Sequence, residues 1–157
     1  MELVLWRHAE AEDEASSDMT RNLTARGLQQ AHKMADWFSG QIGHKWSEWV
    51  VLASPANRTQ QTAGALAQPF LTVRLIAPDA PAEAVMAAAG WPRGIAGRTK
   101  VLVVGHQPTL GMVAAHLIDG SAGYISVKKG AMWWFETRQR DGNQQTVLKA
   151  MVTPDTV

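Results

Sequence analysis

The chain has 157 residues and no cysteine, with 46% hydrophobic residues, 18% charged residues and a net charge of +1. This balance is typical of one globular domain over residues 1–157, and it excludes disulfides, thiolate chemistry, cysteine-zinc sites and bulk affinity for nucleic acid or membranes. Because the N-terminus lacks a basic start and a long apolar run, and no segment is apolar enough to span a bilayer, we expect a cytoplasmic protein.

The first predicted element is a strand at residues 3–6, whose four successive apolar residues indicate burial on both faces, as inside a parallel sheet. Arg7 and His8 follow directly. In open α/β sheets ligands bind just beyond the carboxyl ends of the strands, so this pair lies where chemistry is expected. The alternative is that they begin an ordinary solvated loop, and the pair alone does not distinguish the two.

Residues 11–22 are rich in acids and serine with little periodicity, which predicts a loop at the rim of the first strand's edge. The carboxylates here are bunched without helical spacing and are interpreted as a solvated face, not a metal site; they are Glu10, Glu12, Asp13 and Glu14. Taken by itself, Arg21 is interpreted as an ordinary surface cation. Thr24 then caps a helix that ends near Gly40 and Gly43. Its apolar face comprises Leu28, Ala31, Ala35 and Phe38.

The second predicted buried strand spans residues 49–53, and a helix follows it, beginning at Ala56 or Asn57 and ending at Gln68. Arg58 lies in the first turn of this helix. A cation is unfavourable there, because the helix N-terminus is the positive end of the macrodipole. A bound anion would remove the conflict, since free backbone N–H groups and Arg58 would both point at it. The alternative is a surface arginine that reaches into water.

The middle of the chain alternates strands and helices: a short strand at 72–76, a helix at 82–89, a third buried strand at 101–104 and a helix at 109–117. Gly105 follows the third buried strand and is expected to let the backbone turn sharply. His106 is then held at the strand tip, beside the N-terminus of the next helix. A polar residue thus follows the third buried strand, as Arg7 and His8 follow the first.

The last third of the chain contains three predicted β segments, at residues 124–127, 132–137 and 146–152. The last two are joined by Asp141-Gly142, a strong hairpin signal, so they are expected to add antiparallel strands to a sheet edge. The three buried strands are expected to be parallel, because βαβ connections favour that arrangement. The predicted fold is a three-layer α/β domain with a mostly parallel sheet flanked by helices.

Parallel strands would gather Arg7, His8, Arg58 and His106 at one edge of the sheet. Two guanidiniums beside two imidazoles form a strongly electropositive pocket, which matches a tetrahedral oxyanion such as phosphate and would repel a metal ion. One imidazole can attack phosphorus while the other groups stabilise the equatorial oxygens. A serine hydrolase is the competing catalytic interpretation, but Ser54 lacks the Gly-x-Ser-x-Gly context.

The chain resembles the histidine phosphatase, or phosphoglycerate-mutase-like, superfamily from Met1 to about Ile118. The motifs that carry the resemblance are Arg7-His8, the ten residues SPANRTQQTA from Ser54 to Ala63, and Gly105-His106. Arg-His alone is weak, whereas the three motifs together are specific. The short length and the pattern Arg21-Asn22-Leu23-Thr24-x-x-Gly27 are most similar to the SixA-type phosphohistidine phosphatase branch.

The resemblance implies that His8 is the nucleophile and that Arg7, Arg58 and His106 hold the phosphoryl group, with Arg21 as an added phosphate contact. It implies neither a metal nor another cofactor. The implied activity is phosphatase chemistry through a phosphohistidine intermediate, and the expected partner is a phosphorylated substrate, above all a phosphohistidine-bearing protein. No nucleic acid or membrane partner is expected.

Two departures from the family pattern stand out. The residue after the Arg-His pair is usually glycine and here is Ala9, which fits only if its φ is negative. Larger members also place an acid after the third strand to protonate the leaving oxygen, and here that segment offers only Asp79 and Glu83, outside any recognisable motif. SixA-type enzymes lack a dedicated acid, which suits an N-linked phosphoryl group because imidazole is a good leaving group.

Three other functions remain as alternatives. A phosphatase of small phosphometabolites would use the same pocket. A phospho-ligand binding module would need only the arginines and backbone amides, so the presence of His8 argues against it. A metal-dependent hydrolase is disfavoured by the positive charge of the predicted pocket.

Overall fold

Six strands form one sheet in the computed structural model, which describes residues 1–157. The strands are β1 (Glu2–Arg7), β2 (Trp49–Ala53), β3 (Leu71–Thr72), β4 (Lys100–Gly105), β5 (Met132–Arg140) and β6 (Asn143–Val152). The helices are α1 (Ala25–Gln41), α2 (Asn57–Gly64), α3 (Ala82–Ala89) and α4 (Thr109–Asp119). Short 3-10 turns span Asp18–Thr20, Trp46–Glu48 and Arg74–Ile76. No helix has the length and apolar character needed to cross a membrane.

The sheet order is β3-β2-β4-β1-β5-β6, so β4 lies between β1 and β2. Both neighbours run parallel to β4, and β3 runs parallel to β2. The hairpin β5–β6 adds to the other side of β1 in antiparallel orientation. At its turn, Asp141 and Gly142 both have positive φ, as the Asp-Gly signal predicts. The predicted α/β class with a mostly parallel sheet is confirmed.

Two hydrophobic layers cover the two faces of the sheet, because successive residues of β1 point to opposite faces. Val4 and Trp6 pack in one layer with side chains of α1 and α2. Leu3 and Leu5 pack in the other layer with side chains of α3 and α4. The alternation along β1 therefore produces the three-layer arrangement that the sequence predicts.

Helix α1 is fixed at its start by the loop that follows β1. Thr24 is the predicted N-cap, and its hydroxyl accepts a hydrogen bond from the Gly27 amide at 2.9 Å. Thr24 also donates its own backbone N–H to the Glu10 carbonyl at 3.0 Å. A Cβ on Gly27 would lie 1.9 Å from that same carbonyl oxygen, so only glycine permits this approach. The Thr24-x-x-Gly27 pattern thus docks α1 against the chain next to His8.

Three expected boundaries differ from the structure. Helix α2 ends at Gly64, before residue 68, because Leu66 bonds back three residues to Ala63 and Ala67 then has φ +52°. Residues 72–76 are a strand only at Thr72, and Arg74–Ile76 form a 3-10 turn that buries Ile76. In α1, Gly40 lies inside the last turn, and Leu28 is 43% exposed rather than part of the apolar face.

Residues 124–127, predicted as a strand, contain no regular structure. Their backbone groups bind helix α4 and the side chains of Gln107 and Arg7 instead of a neighbouring strand. The Ile125 amide donates to the Gly111 carbonyl, and the Ile125 carbonyl accepts from the Gln107 side chain at 2.7 Å. The Val127 carbonyl accepts from Arg7 Nη1 at 2.6 Å. The segment therefore closes the carboxyl end of β1, where a ladder strand would leave it open.

An aromatic cluster fills the layer between α1 and the sheet. The Phe38 ring is fully buried, and its centroid lies 5.0 Å from that of Trp49, 5.2 Å from Trp134 and 5.7 Å from Trp46. All three contacts are edge-to-face, the arrangement that aromatic quadrupoles favour. Phe38 therefore joins α1 to β2, β5 and the turn before β2.

We expect Phe38→Ala to lower the free energy of unfolding by about 3–5 kcal/mol, because a large buried ring is replaced by a cavity. Urea denaturation followed by tryptophan fluorescence measures the change. Leu28→Ala on the same helix is the matched control, and at 43% exposure it should cost less than about 1 kcal/mol. Equal losses in the two variants would show that the aromatic cluster does not anchor α1.

Candidate active site

The register of the parallel strands brings their three polar tips side by side. Arg7 at the end of β1 pairs with Gly105 at the end of β4, and β2 ends one pair earlier on the other side. The His8 amide donates to the Gly105 carbonyl, and the Ser54 amide donates to the Val104 carbonyl, each at 3.1 Å. The rings of His8 and His106 are consequently 5.4 Å apart between centroids.

Backbone contacts define the tautomer of His8. Its Nδ1 lies 2.8 Å from the Ala9 carbonyl, which can only accept, so Nδ1 carries the proton. Nε2 is left with its lone pair and accepts from Arg58 Nε at 3.3 Å. Burial lowers the pKa of His8 to about 3, helped by the charges of neighbouring cations and opposed by the bond to Ala9. His8 is thus a neutral imidazole whose unprotonated Nε2 accepts from Arg58.

Neither Ala9 nor Gly105 adopts the positive φ that favours glycine. Ala9 is fully buried and has no positive φ, so alanine is compatible with the loop. Gly105 also has no positive φ, so its backbone conformation does not require glycine. A Cβ at Gly105 would lie 3.2 Å from a methyl carbon of Leu110, so the small residue makes room for the first turn of α4.

Arg58 enters the site from the first turn of α2 and is 4% exposed. Its Nη1 donates to the Asp18 carbonyl at 2.8 Å, and its Nη2 contacts the Asp18 carboxylate at 3.1 Å. The unfavourable cation at the N-terminus of α2 is therefore compensated by a carboxylate of the chain itself. Thr62 supports this arrangement, since its hydroxyl accepts from the Ala9 amide and donates to the Arg58 carbonyl.

Asp18 is the site residue that the sequence analysis missed. Desolvation raises its pKa, but hydrogen bonds from Arg58 and Arg21 outweigh this effect and lower it. Asp18 is therefore a carboxylate that links two guanidiniums. The only signal in the sequence was its position three residues before Arg21, a spacing that suits an ion pair across one turn. Among the acids interpreted as a solvated face, Glu10 instead binds Thr24 and Arg26.

Three other predicted candidates do not contact the residues at the strand tips. Arg21 donates to the Glu12 carbonyl at 2.6 Å and pairs with Asp18 at 3.2 Å, so it reaches the site only through Asp18. Asp79, with φ +68°, and Glu83 make no hydrogen bond or ion pair with the four predicted catalytic residues. Glu83 lines a groove between α3 and α4 instead.

Arg7 and His106 each present a buried polar atom without a hydrogen-bond partner. These atoms are Nε of Arg7 and Nδ1 of His106. Burial and the charge of Arg58 lower the pKa of Arg7. Burial lowers the pKa of His106 to about 4, assisted by Arg58 and opposed by Asp18. Its Nε2 is 2.6 Å from the Ser54 hydroxyl.

The site therefore combines two guanidiniums, two neutral imidazoles and two orphaned nitrogen atoms. Unpartnered buried nitrogens are costly, and an oxyanion that accepted hydrogen bonds from them would remove that cost. No three histidine, aspartate or glutamate side chains are grouped so that they could share a metal ion. The donor set thus fits a tetrahedral oxyanion beside the lone pair of His8.

The chain is similar in sequence and in fold to known histidine phosphatases. The model of the histidine phosphatase superfamily (branch 1) matches residues 3–79. Phosphohistidine phosphatase SixA of Escherichia coli K12 is 30% identical over 125 residues, which is 76% of each chain. The structure of the protein histidine phosphatase SixA complexed with tungstate covers 99% of this chain and 98% of its own, at 24% identity and a TM-score of 0.77. A phosphoserine phosphatase from Entamoeba histolytica in complex with phosphoserine covers 99% and 98%, at 15% identity and a TM-score of 0.63.

We expect the imidazoles of His8 and His106 to stay neutral from pH 8 down to about pH 5. Their pKa values are lowered to about 3 and about 4, so the neutral forms persist through the range in which a free histidine protonates. Nitrogen-15 NMR of the labelled imidazoles measures this, with His8→Gln and His106→Gln used for assignment and a histidine peptide as reference. A titration of either ring near pH 6.5 would contradict the prediction.

Proposed function

The chain belongs to the histidine phosphatase superfamily, and on that premise we propose that it is a metal-independent phosphatase that forms a phosphoenzyme on His8. The observation that most supports this role is the lone pair of His8 Nε2, on a neutral and buried ring between two arginines. A protonated imidazole could not attack phosphorus. The pKa of a solvated imidazole is well above that of His8, so a solvated imidazole is protonated at a higher pH.

The proposed reaction has two displacements at phosphorus. His8 Nε2 attacks the phosphoryl group, the bond to the leaving group breaks with its electron pair, and phospho-His8 forms. Water then attacks the same phosphorus, the P–Nε2 bond breaks with its electron pair returning to His8, and the water proton passes to solvent as inorganic phosphate leaves. During both steps Arg7, Arg58 and His106 would hold the equatorial oxygens, where charge is greatest.

Arg58 also connects the nucleophile with the phosphoryl group. Its Nε–H donates to His8 Nε2 at 3.3 Å and orients the ring, and this hydrogen bond is released when the same lone pair attacks phosphorus. Five N–H bonds radiate from a guanidinium, and the contacts with His8 and Asp18 engage three of its nitrogens once each. The remaining N–H groups are available for phosphoryl oxygens. We assign Arg21 an indirect part, through the Asp18 carboxylate that it shares with Arg58.

The proposed substrate is phosphohistidine on a protein. The E. coli relative is a phosphohistidine phosphatase, and the chemistry of this site favours the same leaving group. Asp18, whose carboxylate contacts Arg58, has a lowered pKa because two arginines hold it, so it is a poor proton donor at neutral pH. An imidazole leaving group needs no strong acid, whereas an alkoxide does.

A phosphatase of small phosphometabolites is the second candidate. The Entamoeba phosphoserine phosphatase shares the fold, which supports an alkyl phosphate as a substrate of this architecture. The two candidates differ in the leaving group that the site must accept. A series of substrates with different leaving groups therefore distinguishes them.

We expect His8→Ala to lower turnover by at least about 10³-fold, because the nucleophile is removed. Wild-type protein quenched during turnover of a radiolabelled phosphohistidine peptide should carry acid-labile, base-stable label that His8→Ala lacks. His32→Ala, which alters an exposed histidine, is the matched control and should retain activity. The assays are run with and without EDTA, and equal rates are expected. Activity that survives in His8→Ala, or that requires a divalent ion, would overturn the proposal.

We expect the rate to fall steeply as the leaving group becomes more basic. Phosphohistidine and aryl phosphates should be turned over on the order of 10²–10⁴ times faster than alkyl phosphates, because no positioned acid protonates an alkoxide. Values of kcat/KM across the series measure this dependence. Asp79→Asn and Glu83→Gln should each leave phosphohistidine turnover nearly unchanged. A large loss in either variant, or equal rates for all leaving groups, would identify a general acid and favour small phosphometabolites.

A further inference from the structure

Ser54 and His106 form a buried pair between adjacent strands. Ser54 follows β2, His106 follows β4, and the Ser54 hydroxyl oxygen lies 2.6 Å from His106 Nε2. Ser54 is 0% exposed, and this is the one hydrogen bond that its hydroxyl makes. The Ser54 carbonyl also accepts from the Thr59 hydroxyl at 2.8 Å and from the Gln60 amide at 2.7 Å. The serine is therefore anchored by β4 and α2 together.

The direction of the Ser54–His106 bond follows from the donors and acceptors present. A buried hydroxyl needs an acceptor for its hydrogen, and His106 Nε2 is its one partner. If Nε2 carried a proton instead, it would donate to Ser54 and leave the hydroxyl hydrogen without an acceptor. The bond therefore runs from Ser54 to Nε2, and a neutral His106 carries its proton on Nδ1. That Nδ1 is the buried nitrogen without a partner.

We propose that Ser54 is a positioning residue that donates to Nε2 of His106 and thereby fixes the tautomer whose Nδ1–H binds the phosphoryl group. The inference rests on the proposed function, and it adds a residue that the phosphatase assignment does not need. Without Ser54, His106 is free to carry its proton on Nε2. The lone pair of His106 Nδ1 would then face a phosphoryl oxygen, and both atoms carry negative partial charge. The contact would be repulsive, where the Nδ1–H of the other tautomer donates a hydrogen bond.

The pair also resembles a serine–histidine nucleophile, and the structure distinguishes the two roles. The Ser54 hydroxyl is inaccessible, whereas His8 Nε2 faces the arginines. A nucleophilic serine would give its hydrogen to His106 and then attack substrate. A positioning serine keeps the hydrogen between Oγ and Nε2 throughout. The chemistry of the trapped phosphoenzyme separates these cases, since phosphoserine is acid-stable and phosphohistidine is not.

The first experiment measures the tautomer in the wild-type protein. Nitrogen-15 NMR of labelled imidazoles, assigned with His106→Gln, should show His106 protonated at Nδ1 and unprotonated at Nε2 at pH 7. In Ser54→Ala this single tautomer should be lost. An Nε2-protonated His106 in the wild type, or an unchanged tautomer in Ser54→Ala, would overturn the proposal. This readout does not depend on turnover, so it stands apart from the His8 test of the phosphatase function.

The second experiment is a double-mutant cycle on turnover of an aryl phosphate. We expect Ser54→Ala to lower kcat/KM roughly 10- to 100-fold, less than the 10²–10³-fold that removal of a donor outright can cost, and to weaken inhibition by tungstate. In a His106→Ala background the same change should have less than about a twofold effect, because Ser54 acts through His106. Independent losses that multiply in the double variant would overturn the proposal.

Matched variants exclude a general effect of losing a serine. Ser39→Ala removes another serine–histidine hydrogen bond, the exposed contact with His44 at 3.0 Å, and should leave kcat/KM unchanged. Ser54→Cys keeps a weak donor and should recover part of the lost activity relative to Ser54→Ala. Thermal denaturation of each variant verifies folding under assay conditions. Acid-stable label on the wild-type chain that disappears in Ser54→Ala would make Ser54 the nucleophile and overturn the proposal.

Discussion

The candidate site depends first on the parallel pairing of β1 and β2 with opposite edges of β4. That register places the ends of three strands within one residue of each other, so His8, Ser54 and His106 meet without long connecting loops. Buried strands fix these positions because a slip of one residue would turn every core side chain to the wrong face. The alternation of Leu3 and Val4 between the two hydrophobic layers therefore also determines where the chemistry lies.

Burial at this edge has opposite consequences for the two kinds of basic side chain. Desolvation lowers the pKa values of His8 and His106 to about 3 and about 4, so both imidazoles lose their charge at neutral pH. A guanidinium has so high a pKa that Arg7 stays charged although burial lowers its pKa as well. One environment thus keeps positive charge on the arginines and a lone pair on His8. Only this difference in charge state allows an unprotonated imidazole to lie in contact with a charged guanidinium.

The sequence predicted those parts of the molecule that follow from periodicity and strand burial. The three buried strands, the Thr24 cap, helix 82–89 and the Asp-Gly hairpin are local patterns, and the structure confirms each of them. Residues 124–127 were predicted as a strand because their composition suits one, yet they cover the end of β1 and place the Val127 carbonyl on Arg7. No local pattern encodes a contact with a residue 120 positions away.

The contacts of Asp18 and Ser54 are absent from the sequence predictions for the same reason. Asp18 was one acid in an acidic loop, and only the fold of that loop over α2 sets its carboxylate on Arg58. Ser54 opens the motif SPANRTQQTA, which does not indicate its partner, and its contact with His106 arises from the pairing of β2 with β4. The parts of a site carried by strand tips are thus accessible from sequence. Contacts made by loops and by pairs of distant side chains require the tertiary structure. The catalytic roles of the assembled residues remain predictions.

Asp18 also sets the electrostatic balance of the pocket. With both imidazoles neutral, the guanidiniums of Arg7, Arg58 and Arg21 and the Asp18 carboxylate that Arg58 and Arg21 share leave a formal charge of +2. Two uncompensated guanidiniums would carry a larger desolvation cost and would bind substrate and product phosphate alike, which does not accelerate turnover. The Asp18 carboxylate offsets part of that charge at Arg58 Nη2, while Arg58 Nε–H donates to His8. In the proposed mechanism the attraction for phosphate is therefore concentrated where Arg7, Arg58 and His106 would hold the phosphoryl group that His8 would attack.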